Sequence, residues 1–144
     1  MNRLIFGLST LFLLCGTALA GGEAYSTAIT VEKVLSTDTT ALGQKLHLPD
    51  SAAAVTGIVV TIPSGAETGW HTHPYSGVAY IIEGVLTVET EKGSTTYPAG
   101  TSFAEVYDFA HNGKNKGKDP VKLVAFFMGT SGAPISAKIA NHTH

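Results

Sequence analysis

Cysteine is almost absent from this chain, since Cys15 is the only one in 144 residues. If the first 20 residues are removed, as argued below, the remaining domain has neither a thiolate nor a disulfide. Soft thiolate metal sites are thereby excluded, and folding cannot depend on a disulfide framework. Lipid attachment at Cys15 is disfavoured, because Leu14 stands where a lipobox normally has a small residue.

Arginine is equally scarce, since Arg3 is the only one. The domain after residue 20 therefore carries eight lysines against eleven acidic residues, a net charge of −3. No basic surface can replace the counterions of phosphates, so nucleic acid is not expected as a partner. The guanidinium clamp that commonly holds carboxylate or phosphate substrates is also missing. These absences favour a small ligand that is neutral or chelates a metal.

Long apolar runs are missing except at residues 4–14, which follow the positive charge of Arg3. This run is shorter than the roughly 20 residues of a membrane-spanning helix. The small-x-small sequence that ends at Ala20 is typical of a signal-peptidase site. We therefore predict a secretory signal peptide over residues 1–20 and a periplasmic or secreted domain over residues 21–144, with no membrane attachment after cleavage.

The rest of the sequence has the pattern of β-strands, short runs of β-branched and aromatic residues between glycine and proline turns. After the signal, no segment shows a 3.6-residue apolar period over ten or more residues. This pattern favours one all-β domain, an antiparallel sandwich or barrel. The predicted strands are 28–35, 43–48, 55–62, 78–82, 85–90, 95–97, 101–106 and 121–128.

Residues 112–120 (NGKNKGKDP) have the composition of a loop. Their lysines, Lys114, Lys116 and Lys118, could form an anion-binding patch. The alternative is a solvated turn that keeps an edge strand soluble, and this is the interpretation that we favour.

Histidine supplies the most specific feature of the sequence. His71 and His73 are two residues apart, a spacing that places both imidazoles on one face of a strand, and His111 follows forty residues later. Three neutral imidazoles can bind divalent Fe, Mn, Ni, Cu or Zn and leave positions open for substrate. We therefore predict one divalent transition metal at these three residues; the alternative is three unrelated polar side chains. The terminal His142-Thr143-His144 repeats the spacing at a polar chain end, where fraying is the default.

The spacing of these histidines resembles the two signature motifs of the cupin superfamily, G-x5-H-x-H-x3/4-E-x6-G and G-x5-P-x-G-x2-H-x3-N. The resemblance covers roughly residues 62–128. It implies a single jelly-roll barrel (a double-stranded β-helix), a metal held by the three histidines, a small-molecule ligand or substrate, and a homodimer. The matching residues are Gly65, His71, His73 and Gly84 in motif one, and Gly100, His111 and Asn115 in motif two.

Three positions depart from these motifs. Gly77, or Val78 on the longer spacing, stands where motif one has its glutamate ligand. In motif two, Val106 and Asp108 replace the proline and the glycine. The histidine ligands therefore carry over, whereas the carboxylate ligand does not.

Glu105 is our candidate for the missing carboxylate. It lies two residues from Phe103 on a predicted strand, so the two side chains share a face, and Phe103 is the expected core residue. A buried carboxylate needs a partner, which a metal ion or its water could be. We predict a catalytic role for Glu105, as a fourth ligand or as a general base. The alternative is an outward glutamate at the rim.

The predicted function is that of an exported metal-binding cupin that acts on or binds a small organic molecule. The resemblance makes an Fe-dependent dioxygenase the first enzymatic hypothesis, although substrates with carboxylates would lack an arginine anchor. The alternatives are a non-catalytic small-molecule or sugar-binding module of the cell envelope, and an isomerase or lyase that uses the metal as a Lewis acid. The sequence leaves open whether the chain is an enzyme.

Overall fold

The computed structural model describes residues 32–50 and 53–140. The chain divides into two units, Met1–Lys33 and Val34–His144, and the sheets and the site belong to the second. The described residues contain strands and no helix, and hence no helix long and apolar enough to cross a membrane. The predicted signal peptide, 1–20, and the histidines at 142 and 144 lie outside the described residues.

In the described part of the chain, nine β-strands form two sheets in which all paired neighbours are antiparallel. The four-stranded sheet has the order β1-β8-β3-β6 and the five-stranded sheet the order β5-β4-β7-β2-β9 in the strand numbering that follows. The strands are β1 (Ala53–Ile62), β2 (His71–Thr72), β3 (Gly77–Glu83), β4 (Val85–Thr90), β5 (Gly93–Pro98), β6 (Ser102–Ala104), β7 (His111–Lys114), β8 (Val121–Thr130) and β9 (Ala137–Lys138). The prediction of an all-β fold is confirmed.

The hydrophobic core lies between the two sheets. Alternate residues of β3 and β8 are buried, as the two-residue period of a strand requires, and Leu86 of the other sheet joins the same cluster. Each sheet therefore turns one apolar face inward, and the inside of the barrel is the place where a ligand can be kept away from water. The fully buried members of this cluster include Ile62, Ala79, Ile81, Phe103, Val121, Leu123 and Phe127.

Most of the strong predicted strands are found with small differences at their ends, whereas two predictions fail. Only 32–35 of the predicted strand 28–35 falls in the described residues, and these four are not in a strand. The predicted strand 43–48 is wrong, since its only pairing is an isolated bridge between Thr39 and Lys45. A turn forms there instead, because the Gly43 N–H donates to the Thr40 carbonyl and Gly43 has a φ of 78°.

The loop predicted at 112–120 is partly wrong, because its first three residues belong to β7. The polar side chains there have partners on neighbouring segments: Asn112 donates to Glu67 at 3.2 Å, and the Lys114 ammonium lies 2.8 Å from Glu89. Lys116 contacts the same carboxylate at 2.8 Å, and hydrogen bonds from both lysines lower the pKa of Glu89 to about 2. Two of the three lysines are thus neutralised, which argues against an anion-binding patch.

Residues 38–47 form a strap along the edge of the four-stranded sheet. The Ala41 N–H donates to the Ala104 carbonyl of β6 at 2.9 Å, and the Gln44 side-chain amide donates to the Tyr107 carbonyl at the same distance. Because β6 is an edge strand, these bonds satisfy backbone groups that would otherwise face solvent. The strap also brings its own side chains to the barrel wall beside β6.

Candidate metal centre

The three histidines predicted to bind metal lie together inside the barrel. His71 of β2 pairs directly with His111 of β7, and His73 follows immediately after β2. One ligand nitrogen from each ring lies within 4.8 Å of the other two, so that the group could hold a metal ion. His73 and His111 are buried and His71 is half-buried, which leaves the cluster accessible from one side.

Backbone carbonyls fix the tautomer of each ring. A carbonyl oxygen can only accept a hydrogen bond, so the Nδ1 atom bonded to it carries the proton and Nε2 keeps its lone pair. Metal-binding histidines are commonly oriented in this way by a partner on the second ring nitrogen. The three bonds run from Nδ1 of His71 to Gly69 (2.8 Å), from Nδ1 of His73 to Ile135 (2.7 Å) and from Nδ1 of His111 to Phe109 (2.9 Å).

Burial keeps two of these rings neutral. Loss of solvation lowers the pKa of both His73 and His111 from 6.5 to about 4, and it outweighs the hydrogen bonds to Ile135 and Phe109, which act in the opposite direction. A neutral imidazole is the form that binds a metal, so no proton has to be displaced from these two rings at pH 7. The donor set therefore fits a divalent transition metal of the nitrogen-preferring kind.

A cavity of about 70 Å³ opens beside the cluster. The three histidines, Glu105 and Thr68 supply its polar lining, and most of the rest comes from aliphatic side chains of both sheets and from Phe127. An ion bound here would have open positions facing a largely apolar space, the arrangement found in catalytic rather than structural metal sites.

Glu105 lies within this site. Its residue exposure is only 8%, and one carboxylate oxygen is 3.9 Å from Nε2 of His111. The side chain makes no hydrogen bond with any other residue in the described part of the chain, and burial raises its pKa from 4.5 to about 7. The predicted inward orientation is therefore correct, whereas its role as ligand or base stays a prediction.

Gly77, which replaces the motif-one glutamate, is covered by an aromatic ring. A β-carbon at this position would come within 2.5 Å of Cδ1 of Phe127, its partner on β8. The same ring packs against the ring of His73, with centroids 4.4 Å apart. Phe127 thus fills the space that a side chain at position 77 would need. Sequence reasoning missed this residue, since its strand pattern shows only that it belongs to the core.

The loop that leads into His111 keeps its shape despite the changes in motif two. Asp108 has a φ of 48°, the left-handed conformation for which the motif has glycine, and aspartate tolerates this conformation better than most residues. Its N–H donates to the carbonyl of His73 at 2.8 Å. This hydrogen bond ties the loop before His111 to His73, which lies on the other side of the metal cluster.

The pKa shifts predict that the metal-free protein loses stability in acid and reaches its full stability near pH 7. Between pH 4.5 and 6.5 the unfolded chain carries protons on His73 and His111, whereas the folded protein carries one on Glu105 only. The unfolded state then binds one proton more, so these groups lower the free energy of unfolding by about 1.4 kcal/mol per unit as the pH falls. Above about pH 6.5 the two histidines of the unfolded chain lose their protons and Glu105 of the folded protein loses its own near pH 7, so the two losses nearly cancel and the curve levels off. Urea unfolding of chelator-treated protein from pH 4.5 to 8 measures this curve.

The variant Glu105→Gln is the control for this pH dependence. Without the ionisable carboxyl, the unfolded state binds two protons more than the folded state between about pH 4.5 and 6.5. The slope of the free energy of unfolding against pH should therefore steepen to about 2.7 kcal/mol per pH unit. Stability should also keep rising through pH 6.5, because no proton on the folded protein then offsets those of the unfolded histidines. An unchanged curve would mean that Glu105 does not keep its proton in the folded protein near neutral pH.

Comparison with known proteins identifies a family for this barrel. Residues 58–127 match the cupin domain family Cupin_2. No curated protein has significant similarity to the sequence. Many solved structures resemble the chain. Among them is the DMSP lyase DddQ from Ruegeria pomeroyi, with 16% identity over 65% of this chain and 47% of that chain and a TM-score of 0.55. Others are the oxalate decarboxylase of Bacillus subtilis, described with Mn(II) centres (23% identity, 59% of this chain, 24% of that chain, TM-score 0.50), and a cupin domain from Bordetella pertussis (28% identity, 58% of this chain, 88% of that chain, TM-score 0.43).

The similarity to the lyase and to the decarboxylase shows only a shared fold, because the sequence identities are 16% and 23%. The chain spans about half of the lyase, at 47%, and about a quarter of the decarboxylase, at 24%. Together with the two antiparallel sheets, they agree with the jelly-roll barrel that the sequence motifs imply.

Proposed function

Because the chain belongs to the cupin superfamily, through a domain matched over residues 58–127, we propose that it binds one divalent transition metal and acts on a small organic molecule. The ligands are His71, His73 and His111. The observation that carries this proposal is the set of three Nδ1-to-carbonyl hydrogen bonds, which leaves a lone pair on each Nε2 of a tight cluster. Three unrelated polar histidines would have no reason to share one tautomer.

Glu105 gives the site a group that can hold or accept a proton. Its pKa of about 7 lies where a general acid or base is most effective at neutral pH. The aliphatic lining excludes water, which strengthens every electrostatic interaction of this carboxyl. A bound metal would supply Lewis acidity, or oxygen activation if it is iron.

Two reaction classes fit this arrangement. The iron-dependent dioxygenase remains the first hypothesis, because three histidines with open positions suit it. The buried carboxyl next to His111 favours a second candidate, an isomerase or lyase in which Glu105 moves a proton and the metal acts as a Lewis acid. A dioxygenase consumes oxygen and needs Fe(II), whereas the second class turns over without oxygen and with Zn(II). A binding module would show ligand-dependent stabilisation and no turnover.

The variant Glu105→Gln tests whether this carboxyl is a metal ligand. The amide has nearly the same shape, so the fold should persist, while metal affinity should fall by about 10- to 100-fold through loss of the negative charge. Competition with a chelator gives the dissociation constant, and Glu83→Gln at an exposed strand end is the matched control. Equal affinities in wild type and Glu105→Gln would exclude the ligand role and leave only the general base.

Export and self-association are parts of this proposal that the sequence supports. The charged start, the apolar run and the small residues before Gly21 support cleavage of residues 1–20 and a periplasmic or secreted location. The family resemblance supports a homodimer. The net charge of the domain supports a small molecule rather than nucleic acid as its ligand.

A further inference from the structure

A second cavity, of about 90 Å³, lies next to the metal cavity. The hairpin of β4 and β5 lines it on one side, and Ala41 and Leu42 of the strap line it on another. Glu105 and Val88 line both cavities. The two spaces therefore share these two side chains in their walls, and a molecule in the second cavity can reach the carboxyl of the metal site.

One wall of the second cavity is aromatic and apolar. The rings of Tyr97 and Phe103 stack with centroids 4.0 Å apart and planes at 18°. Val88 and Leu42 add aliphatic surface. Such a wall suits a flat or branched hydrocarbon body, which gains from contact with ring faces.

The carboxyl of Glu105 is a polar group in need of a partner. The residue is 8% exposed, and its one possible ion-pair partner among the described residues is His111, whose Nε2 lies 3.9 Å away. After burial itself, the Glu105 carboxylate is the main cause that raises the pKa of the Tyr97 phenol, so the carboxylate also acts on the aromatic wall. A ligand hydroxyl or amino hydrogen in the second cavity would satisfy this group.

The lining of the second cavity also includes one positively charged residue, Lys92. Lys92 belongs to the turn between β4 and β5, and its ammonium lies 5.1 Å from the centre of the Phe109 ring. Within the described residues it forms no ion pair, in contrast to Lys45, Lys114 and Lys116, which all contact carboxylates. A lysine ammonium is a compact charge that can bind a carboxylate without the fork of arginine.

We propose that the second cavity binds a small organic acid that carries a hydroxyl or amino group. The carboxylate of this ligand contacts Lys92, and its hydrocarbon body packs on Tyr97 and Phe103. Its hydroxyl or amino group donates a hydrogen bond to Glu105. This inference deepens the proposed function, on which it rests, because it names the substrate class of the same site. It also revises the expectation that a domain without arginine lacks an anchor for carboxylates.

The test is a binding titration of the metal-free protein with 4-hydroxybenzoate, followed by heteronuclear NMR. We expect shifts at Leu42, Lys92 and Thr95, and a dissociation constant that rises about 10-fold in Lys92→Gln. The neutral 4-hydroxybenzyl alcohol should bind more weakly and be indifferent to this variant. Lys118→Gln, which removes the same charge from an exposed position outside the cavity, should bind like wild type.

Several outcomes would overturn the inference. These are no binding of the acid, shifts confined to another surface, or equal losses in Lys92→Gln and Lys118→Gln. Lys92 lies on an exposed turn, so its variant should fold, and the NMR spectrum reports this directly. Because the titration needs no metal, acid binding without any metal uptake would support this cavity while refuting the metal function. Metal uptake without acid binding would support the metal function and refute the proposed ligand of this cavity.

Discussion

Replacing His111 with alanine should abolish stoichiometric metal binding. The wild-type domain should hold about one equivalent of Fe, Mn, Ni, Cu or Zn, and the variant should hold almost none, because catalytic sites of this type need three protein ligands. His71 and His73 cannot rearrange to compensate, since Gly69 and Ile135 hold their Nδ1 atoms. Elemental analysis of the domain, purified without a histidine tag from its native compartment, makes the measurement.

Thermal unfolding gives a second measure of the same loss. At a metal concentration of about 100 times the dissociation constant, binding should stabilise the wild-type protein by about 2.7 kcal/mol, and the variant should gain nothing. His47→Ala is the matched control, because His47 lies in the strap, with its ring centre 5.4 Å from that of Tyr75 and 5.2 Å from that of Tyr107, away from the cluster. Full metal content in His111→Ala, or none in wild type even after addition, would refute the site.

The parts of this structure that the sequence predicts are those with local causes. The run 55–62 is rich in β-branched residues and the run 121–128 in apolar residues, and both form long strands. The shared face of His71 and His73 also follows from a short-range rule, their two-residue spacing, whereas His111 is joined to them by the resemblance to the cupin motifs. The two-residue offset from Phe103 similarly predicts the inward direction of Glu105, which the burial of its side chain confirms.

The parts that escape prediction depend on residues far apart in the chain. β7 has the composition of a loop, and it becomes a strand because Glu67 and Glu89 provide partners for its asparagine and lysine. The carbonyl that orients His73 belongs to Ile135, 62 residues away. The second cavity requires the strap to lie beside the β4–β5 hairpin, a placement that no local pattern encodes.

Substituting Gly77 with alanine should destabilise the protein far more than the loss of one glycine normally does. The new β-carbon would lie 2.5 Å from Cδ1 and 2.6 Å from Cε1 of Phe127. That ring cannot withdraw freely, because it is buried and packs on His73. We expect a cost of about 1–3 kcal/mol in the free energy of unfolding, the usual range for an overpacked core, measured by urea unfolding. Metal affinity should also fall, since the displaced ring pushes on a ligand.

Gly57→Ala is the control that separates this constraint from backbone effects. Its β-carbon would also approach a ring, at 2.8 Å from Cε1 of Phe126, but Phe126 is 48% exposed and can swing into solvent. The cost there should stay below about 1 kcal/mol, and an equal cost at both positions would contradict the argument. Adding Phe127→Leu to Gly77→Ala should restore part of the lost stability. A glutamate at position 77 would then need a smaller residue at 127, so in this barrel the carboxyl nearest to the histidines comes from Glu105 and not from position 77.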